Sequence, residues 1–270
     1  MSHEIADFAL PRPQTPGAPR SGKIAGKVSR FLARHARGKT LAMRNAIPIV
    51  TFTFDDVPAS ACSNGAAILE QHDARGTFYV SGGGCGAASP GGRLATTAQL
   101  DTLCARGHEV GCHTYSHPAV SAVAHDELIA DLERNRLFLE GINGAIAVRN
   151  FAYPYGDLSF RTKRYLETRF ESCRSLLRGV NEGAADLGAL KTCPLENATI
   201  DREGIRAFIA RAAMAKGWLI FSSHDVAEEP SRFGVTPDLL AFAVEASRDA
   251  GCRLATVAEG LVLAGDAQTA

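Results

Sequence analysis

The chain has 270 residues, with 29 basic and 29 acidic side chains and a formal net charge of zero. Apolar residues make up 46% of it, enough to build the core of one large α/β domain. A balanced charge excludes a polyanion binder that works by bulk charge, and nucleic acid is not an expected partner.

In chain order, residues 1–21 hold four Pro and little periodicity and read as a flexible tail. A basic amphipathic helix is expected over 22–47. Between Arg20 and Arg44 there are eight Lys or Arg and no acid. Ile24, Val28, Phe31, Leu32 and His35 share one helical face, flanked by Lys27, Arg30, Arg34 and Arg37. Two readings stay open for it: a helix packed on the domain with its basic side in water, or peripheral contact with an anionic membrane surface through residues 23–37.

From 48 to 265 strands and helices alternate. Strand-like runs are expected at 49–54, 76–80, 109–112, 150–153, 171–176, 191–195, 218–222 and 252–256. Helices are expected at 64–72, 96–107, 126–140, 160–169, 203–216 and 237–248. The segment 177–190 has no clear period and reads as a long loop. Roughly seven or eight β/α units imply an α/β fold, a distorted (β/α) barrel with about seven parallel strands.

The seven Cys (62, 85, 104, 112, 173, 193 and 252) are odd in number, irregularly spaced and free of any C-x-x-C. A disulfide framework and a zinc ribbon are excluded on that pattern, and reduced, buried thiols are expected. The first residues lack a secretory apolar stretch, and no run of about 18 apolar residues occurs. A cytoplasmic location is expected, peripheral at the inner membrane face if residues 23–37 touch lipid.

The chemically able residues cluster at strand ends, where a parallel barrel keeps its working face. Asp55-Asp56 follow TFTF, His113 and His117 follow EVGC, Tyr153-Pro154-Tyr155-Gly156 closes the strand at 150, and His224-Asp225 follow WLIFSS. Four residues make one helical turn, so His113 and His117 could face one point, and with a carboxylate they would form an N₂O metal set. Two adjacent carboxylates repel, and a cation on one of them relieves the conflict while the other stays free as a base. His224, opposite, could protonate a leaving group.

These residues, read with the phrases GTFYV at 76–80 and GHEVGCHTYSHP at 107–118, resemble the ordered motifs of the polysaccharide deacetylase (NodB-homology) family, carbohydrate esterase family four. The resemblance covers roughly 48–260. It implies removal of N-acetyl, in some members O-acetyl, groups from sugars with a divalent metal, zinc by preference. By position, Asp55 would be the base and Asp56, His113 and His117 the metal ligands. The Tyr155 backbone N–H would help hold the oxyanion, His224 would be the acid, and Pro154, Tyr155 and Ser222 would line the substrate pocket. The expected partner is an N-acetylated carbohydrate or glycolipid.

The chain also departs from that pattern. Ala152 stands where an Arg usually orients the base, and Arg149 lies three residues away, on the opposite strand face. Val57 replaces a Gly, and Ser222 replaces a Leu of the acyl pocket. Glu196, Asp186 and Asp201 are the candidates for the acid that supports His224. Two alternatives follow from these changes: a deformylase or other amide hydrolase, and a non-catalytic carbohydrate-binding pseudoenzyme.

Overall fold

The computed structural model describes residues 20–266. Strand β1 (Ile49–Asp55), IVTFTFD, carries the alternation on which the molecule is built. Val50, Phe52 and Phe54 pack outward into the apolar layer under the helices. Ile49, Thr51, Thr53 and Asp55 leave the other face and point inward. The inward hydroxyls are satisfied. Trp218 Nε1 donates to Thr51 Oγ1 at 2.9 Å, and Thr53 Oγ1 donates to the Phe221 carbonyl at 2.8 Å. Left unpaired, such buried groups would each cost about 1–3 kcal/mol.

A parallel ladder runs from β1 through β2 (Thr77–Val80), β3 (Glu109–Cys112), β4 (Asn150–Ala152), β5 (Ser172–Arg178), β6 (Leu190–Pro194) and β7 (Trp218–Ser223). β7 pairs back onto β1, from Trp218 opposite Ile49 to Ser223 opposite Phe54, and closes the expected seven-stranded barrel. β8 (Arg253–Leu254) pairs only with Ile49 and Val50 at the start of β1. Around the barrel lie α2 (Ala66–Glu70), α3 (Thr97–Ala105), α4 (His125–Ile142), α5 (Phe160–Arg169), α6 (Arg202–Ala215), α7 (Pro237–Asp249) and α8 (Val257–Gly265). All seven Cys are unpaired.

Four local expectations change. A π-helical turn, Ala61–Gly65, precedes α2. The 177–190 segment is not all loop: β5 runs to Arg178, and Ala184–Asp186 pairs antiparallel with Thr40–Ala42. The amphipathic helix, α1 (Arg20–His35), stops well short of residue 47. Its continuation is needed as the strand Thr40–Ala42. The expected tail lies outside the described residues up to residue 19; Arg20 and Ser21 already belong to α1.

The seat of α1 also differs from the expectation. It packs on α5, but through small residues and backbone. The Phe160 N–H donates to Ser29 Oγ at 3.1 Å, and Ala33 is fully buried. Lys163 Nζ donates to the Ala33 carbonyl at 3.0 Å and the Ala36 carbonyl at 2.7 Å, and pairs with Asp186 at 2.5 Å. The apolar side chains Val28, Phe31 and Leu32 face outward. No helix among the described residues is long and apolar enough to cross a membrane.

Candidate metal centre and active site

Asp55, at the last position of β1, is buried on the inner wall, and Asp56 follows it in the left-handed region at φ 56°. That reversal turns the second carboxylate out of the strand and over the barrel mouth. Val57, at φ 51°, continues the same tight turn. A β-branched residue is poorly suited to positive φ, so the turn is held by its surroundings.

His113 follows β3 directly. Its Nδ1–H donates to the Ala152 carbonyl at 2.8 Å, which leaves Nε2 with a free lone pair directed into the mouth. His117 does not lie one helical turn on, because residues 113–118 form a loop. Pro118 disfavours helix at the residue before it. Left-handed residues at Thr114 (φ 65°) and His117 (φ 52°) fold the loop back instead. Asp131 of α4 holds it by accepting the Tyr115 N–H at 2.6 Å and the Ser116 N–H at 3.1 Å. Both rings still meet at one point.

The result is a compact three-donor set. Asp56 Oδ1 is 3.2 Å from His117 Nε2 and 3.8 Å from His113 Nε2, and the two Nε2 atoms are 3.2 Å apart. Asp56, His113 and His117 offer ligand atoms that all lie within 4.8 Å of one another. These spacings suit atoms bound at about 2.0–2.2 Å around one small cation. Protonation favours the same reading. Burial pushes the His113 imidazole down to about 4, against the pull of Asp55, and burial also lowers His117. Two buried neutral imidazoles beside a carboxylate are a donor set that fits a divalent metal such as zinc.

Asp55 stands behind this set. Burial alone would raise its pKa. The Arg174 guanidinium, bonded to Oδ1, outweighs burial with help from His113 and His224, and holds the carboxyl below its usual range. Arg174 is fully buried on β5 and lies 5.2 Å from the Tyr79 ring. Its strand position is the register partner of Ala152. Sequence reasoning missed it, because finding it requires knowing which residues of β4 and β5 lie side by side. Arg149 pairs at the surface with Glu171, away from the site.

The other candidates separate clearly. His224, after β7, brings Nε2 to 4.0 Å from Asp56 Oδ2, and its Nδ1 is buried without a partner among the described residues. Tyr155, at φ 58°, is half-exposed and meets His117 edge-on at 4.5 Å. Pro154, which precedes it, is buried. Ser222 is buried on β7, two residues before His224, opposite Thr53 of β1. Of the acids considered for supporting His224, Asp186 pairs with Lys163 and Asp201 caps α6. Only Glu196, in the loop after β6, interacts with His224: burial raises its carboxyl, and the nearby His224 offsets that only in part.

Comparison with known proteins bears on the family and the fold. Residues 43–169 match the family model described as polysaccharide deacetylase. Chitin deacetylase of Colletotrichum lindemuthianum is 29% identical over 160 residues, which are 52% of this chain and 63% of that protein. Chitooligosaccharide deacetylase of Azorhizobium caulinodans is 32% identical over 111 residues, 41% of this chain and 49% of that protein. The chain thus spans less than two thirds of the length of either relative. The solved structure of the Colletotrichum enzyme superposes with a TM-score of 0.58 at 20% identity, over 84% of this chain and 92% of that one, and shares the barrel. The matched sequence over residues 43–169, the closed barrel and the strand-end motifs together are similar to those of polysaccharide deacetylases of the NodB-homology type, carbohydrate esterase family four.

Proposed function

We propose that the chain hydrolyses an N-acetyl group, with O-acetyl as a variant, on a glycan or glycan precursor. The observation that carries this is the convergence of Asp56, His113 and His117 beside an Asp55 kept ionised inside the barrel. A divalent cation held by those three side chains would polarise the acyl oxygen and acidify a water molecule. Asp55 accepts the proton of the attacking water, and Arg174 fixes the carboxylate in place. The Tyr155 N–H donates to the oxygen that becomes negative at the tetrahedral stage. His224 delivers a proton to the nitrogen as the C–N bond breaks, so acetate and a free amine leave. Pro154, Tyr155 and Ser222 border the acyl group. The partner is an N-acetylated carbohydrate or glycolipid, and lipid contact through residues 23–37 is the partner side of the same reading.

Two variants test the roles separately. Asp55→Asn should retain the metal and lose turnover by about 10²–10⁴-fold. His113→Ala or His117→Ala should empty the site, as read by metal analysis of the purified protein. Near-normal acetate release from Asp55→Asn would remove Asp55 as the base. Ser222, a buried hydroxyl where the family usually carries Leu, favours a second reading in which the acyl group is formyl or another small polar amide. Release of formate in preference to acetate across matched substrates would select that reading.

A further inference from the structure

We propose that α1 is an interfacial helix that docks the protein on an anionic lipid bilayer and turns the barrel mouth toward that surface. The N-acylated sugar would then be presented on a lipid anchor. This rests on the deacetylase reading for the substrate and on α1 alone for the docking.

An amphipathic helix on a globular domain ordinarily buries its apolar face. Here α1 buries an adjacent strip of small residues instead. Ser29 and Ala33 make the seam with α5, and Lys163 ties down the carbonyls of Ala33 and Ala36. Val28 is left 52% exposed, Phe31 60% and Leu32 39%. The ridge they form is flanked by Lys27, Arg30, Arg34 and Arg37, all exposed and none in an ion pair among the described residues. An apolar ridge bordered along one side by unneutralised cations suits the boundary of an anionic bilayer, where acyl chains take the ridge and headgroups the charges. A second copy of this chain would meet the same positive charge and be repelled.

The direction of α1 connects this surface to the site. Ser29 is level with Phe160 at the start of α5, Ala33 and Ala36 with Lys163, and Lys39 with Glu167 and Phe170 beyond its end. The two helices therefore run in the same sense. The start of α5 follows Tyr155, which touches His117 at the mouth. Arg20 to Val28 thus extend about 13 Å of helix past the start of α5, on the side that carries the site.

The test uses the full chain, with vesicles of phosphatidylcholine alone and of phosphatidylcholine mixed with phosphatidylglycerol. Wild-type protein should float with the anionic vesicles and stay behind with the neutral ones. The double variant Arg30→Gln/Arg34→Gln should lose about 25-fold in partitioning, at about fivefold for each cation removed. Phe31→Ser/Leu32→Ser should also lose flotation. Both substituted pairs are exposed, so both variants should keep the wild-type rate of acetate release from a water-soluble N-acetylated oligosaccharide. On the anionic vesicles, wild type should deacetylate an N-acetylhexosamine on a lipid anchor faster than the same sugar free in water, and both variants should lose that gain. Equal flotation of wild type and variants, or none by wild type, would overturn the docking. Flotation without any gain on the anchored sugar would overturn the orientation. Flotation as expected, with no acetate from either sugar, would support the docking and overturn the deacetylase reading.

Discussion

Arg174 and Ala152 are neighbours across the β4–β5 ladder, and the exchange between them explains how the site keeps Asp55 ionised. A buried carboxylate without a cation beside it takes up a proton, because burial penalises charge. The usual family position for the compensating Arg is 152, and Ala152 is fully buried there. The cation has moved one strand sideways at the same level and reaches Asp55 from β5. The small Ala side chain leaves room inside the barrel for the guanidinium to cross. Arg174→Met should therefore lower kcat by about 10²-fold with metal content unchanged. It should also move the acid limb of kcat/KM upward in pH, since Asp55 loses the charge that depresses its pKa. Adding Ala152→Arg should restore part of the rate and bring the limb back. Loss of activity without that shift, and without rescue, would mean that Arg174 only supports folding. The quartet Asp55, Asp56, His113 and His117 was legible in the sequence because each member sits at a strand end, within a short motif. Arg174 was not, because strand register is a tertiary fact. Glu196 was legible only as one acid among three, since its loop has no period to fix its direction.

Elements with a strong period were legible nearly to the residue. Glu109–Cys112 and Phe160–Arg169 lie where alternation and helical spacing put them. Short or uniformly apolar elements were not. Thr40–Ala42 and Ala184–Asp186 are three residues each, too brief to show a period. α8 does carry a start signal, with Thr256 and Glu259 forming a capping box. Its apolar residues, however, wrap most of the helix, and Gly260 interrupts the pattern where its backbone packs on Trp218. The α1 helix was legible as amphipathic but not as seated on a strip beside its apolar face, because its contacts are made by backbone carbonyls. Lys163 makes that seat possible. Its buried ammonium satisfies two carbonyls at the end of α1 and the Asp186 carboxylate together. Lys163→Met leaves that carboxylate without its cation, and should cost about 3 kcal/mol in chemical denaturation. It should also speed proteolysis between residues 35 and 42, with the barrel fragment remaining resistant. If cleavage there is unchanged, α1 is held by something other than Lys163.

At the scale of the whole molecule the two ends of the barrel divide the work. The mouth holds the titrating groups of the proposed reaction, and at the opposite end of the strands His108, Glu70 and Arg106 form a clamp. His108 precedes β3, and its Nδ1 accepts the Gly76 N–H at 3.0 Å just before β2. Its Nε2–H donates to Glu70 at 2.8 Å, and Arg106 bonds the other carboxylate oxygen. The ring can accept from Gly76 only while neutral. Burial lowers its pKa, against the pull of Glu70. The unfolded chain protonates this His near its ordinary value of about 6.5, so its share of stability is complete above that pH and is lost as pH falls toward the lower folded value. Burial raises the Glu70 carboxyl, but the bonds from Arg106 and His108 lower it more, so its share is lost further down, as pH falls through its folded pKa. Both losses lie on the acid side. His108→Gln keeps an acceptor for Gly76 and a donor for Glu70 but cannot titrate. In chelator, the stability of this variant between about pH 7 and 5 should fall less steeply than wild type, by up to about 1.4 kcal/mol per pH unit. The part that remains belongs to His113 and His117, and saturating zinc should raise Tm at neutral pH and lose that effect as the ligands protonate. With zinc bound, the acid limb of kcat/KM should be the same in His108→Gln as in wild type, because the clamp and the mouth lie at opposite ends of the strands. A stability slope that does not change, or an acid limb that moves with it, would show that the two ends are coupled.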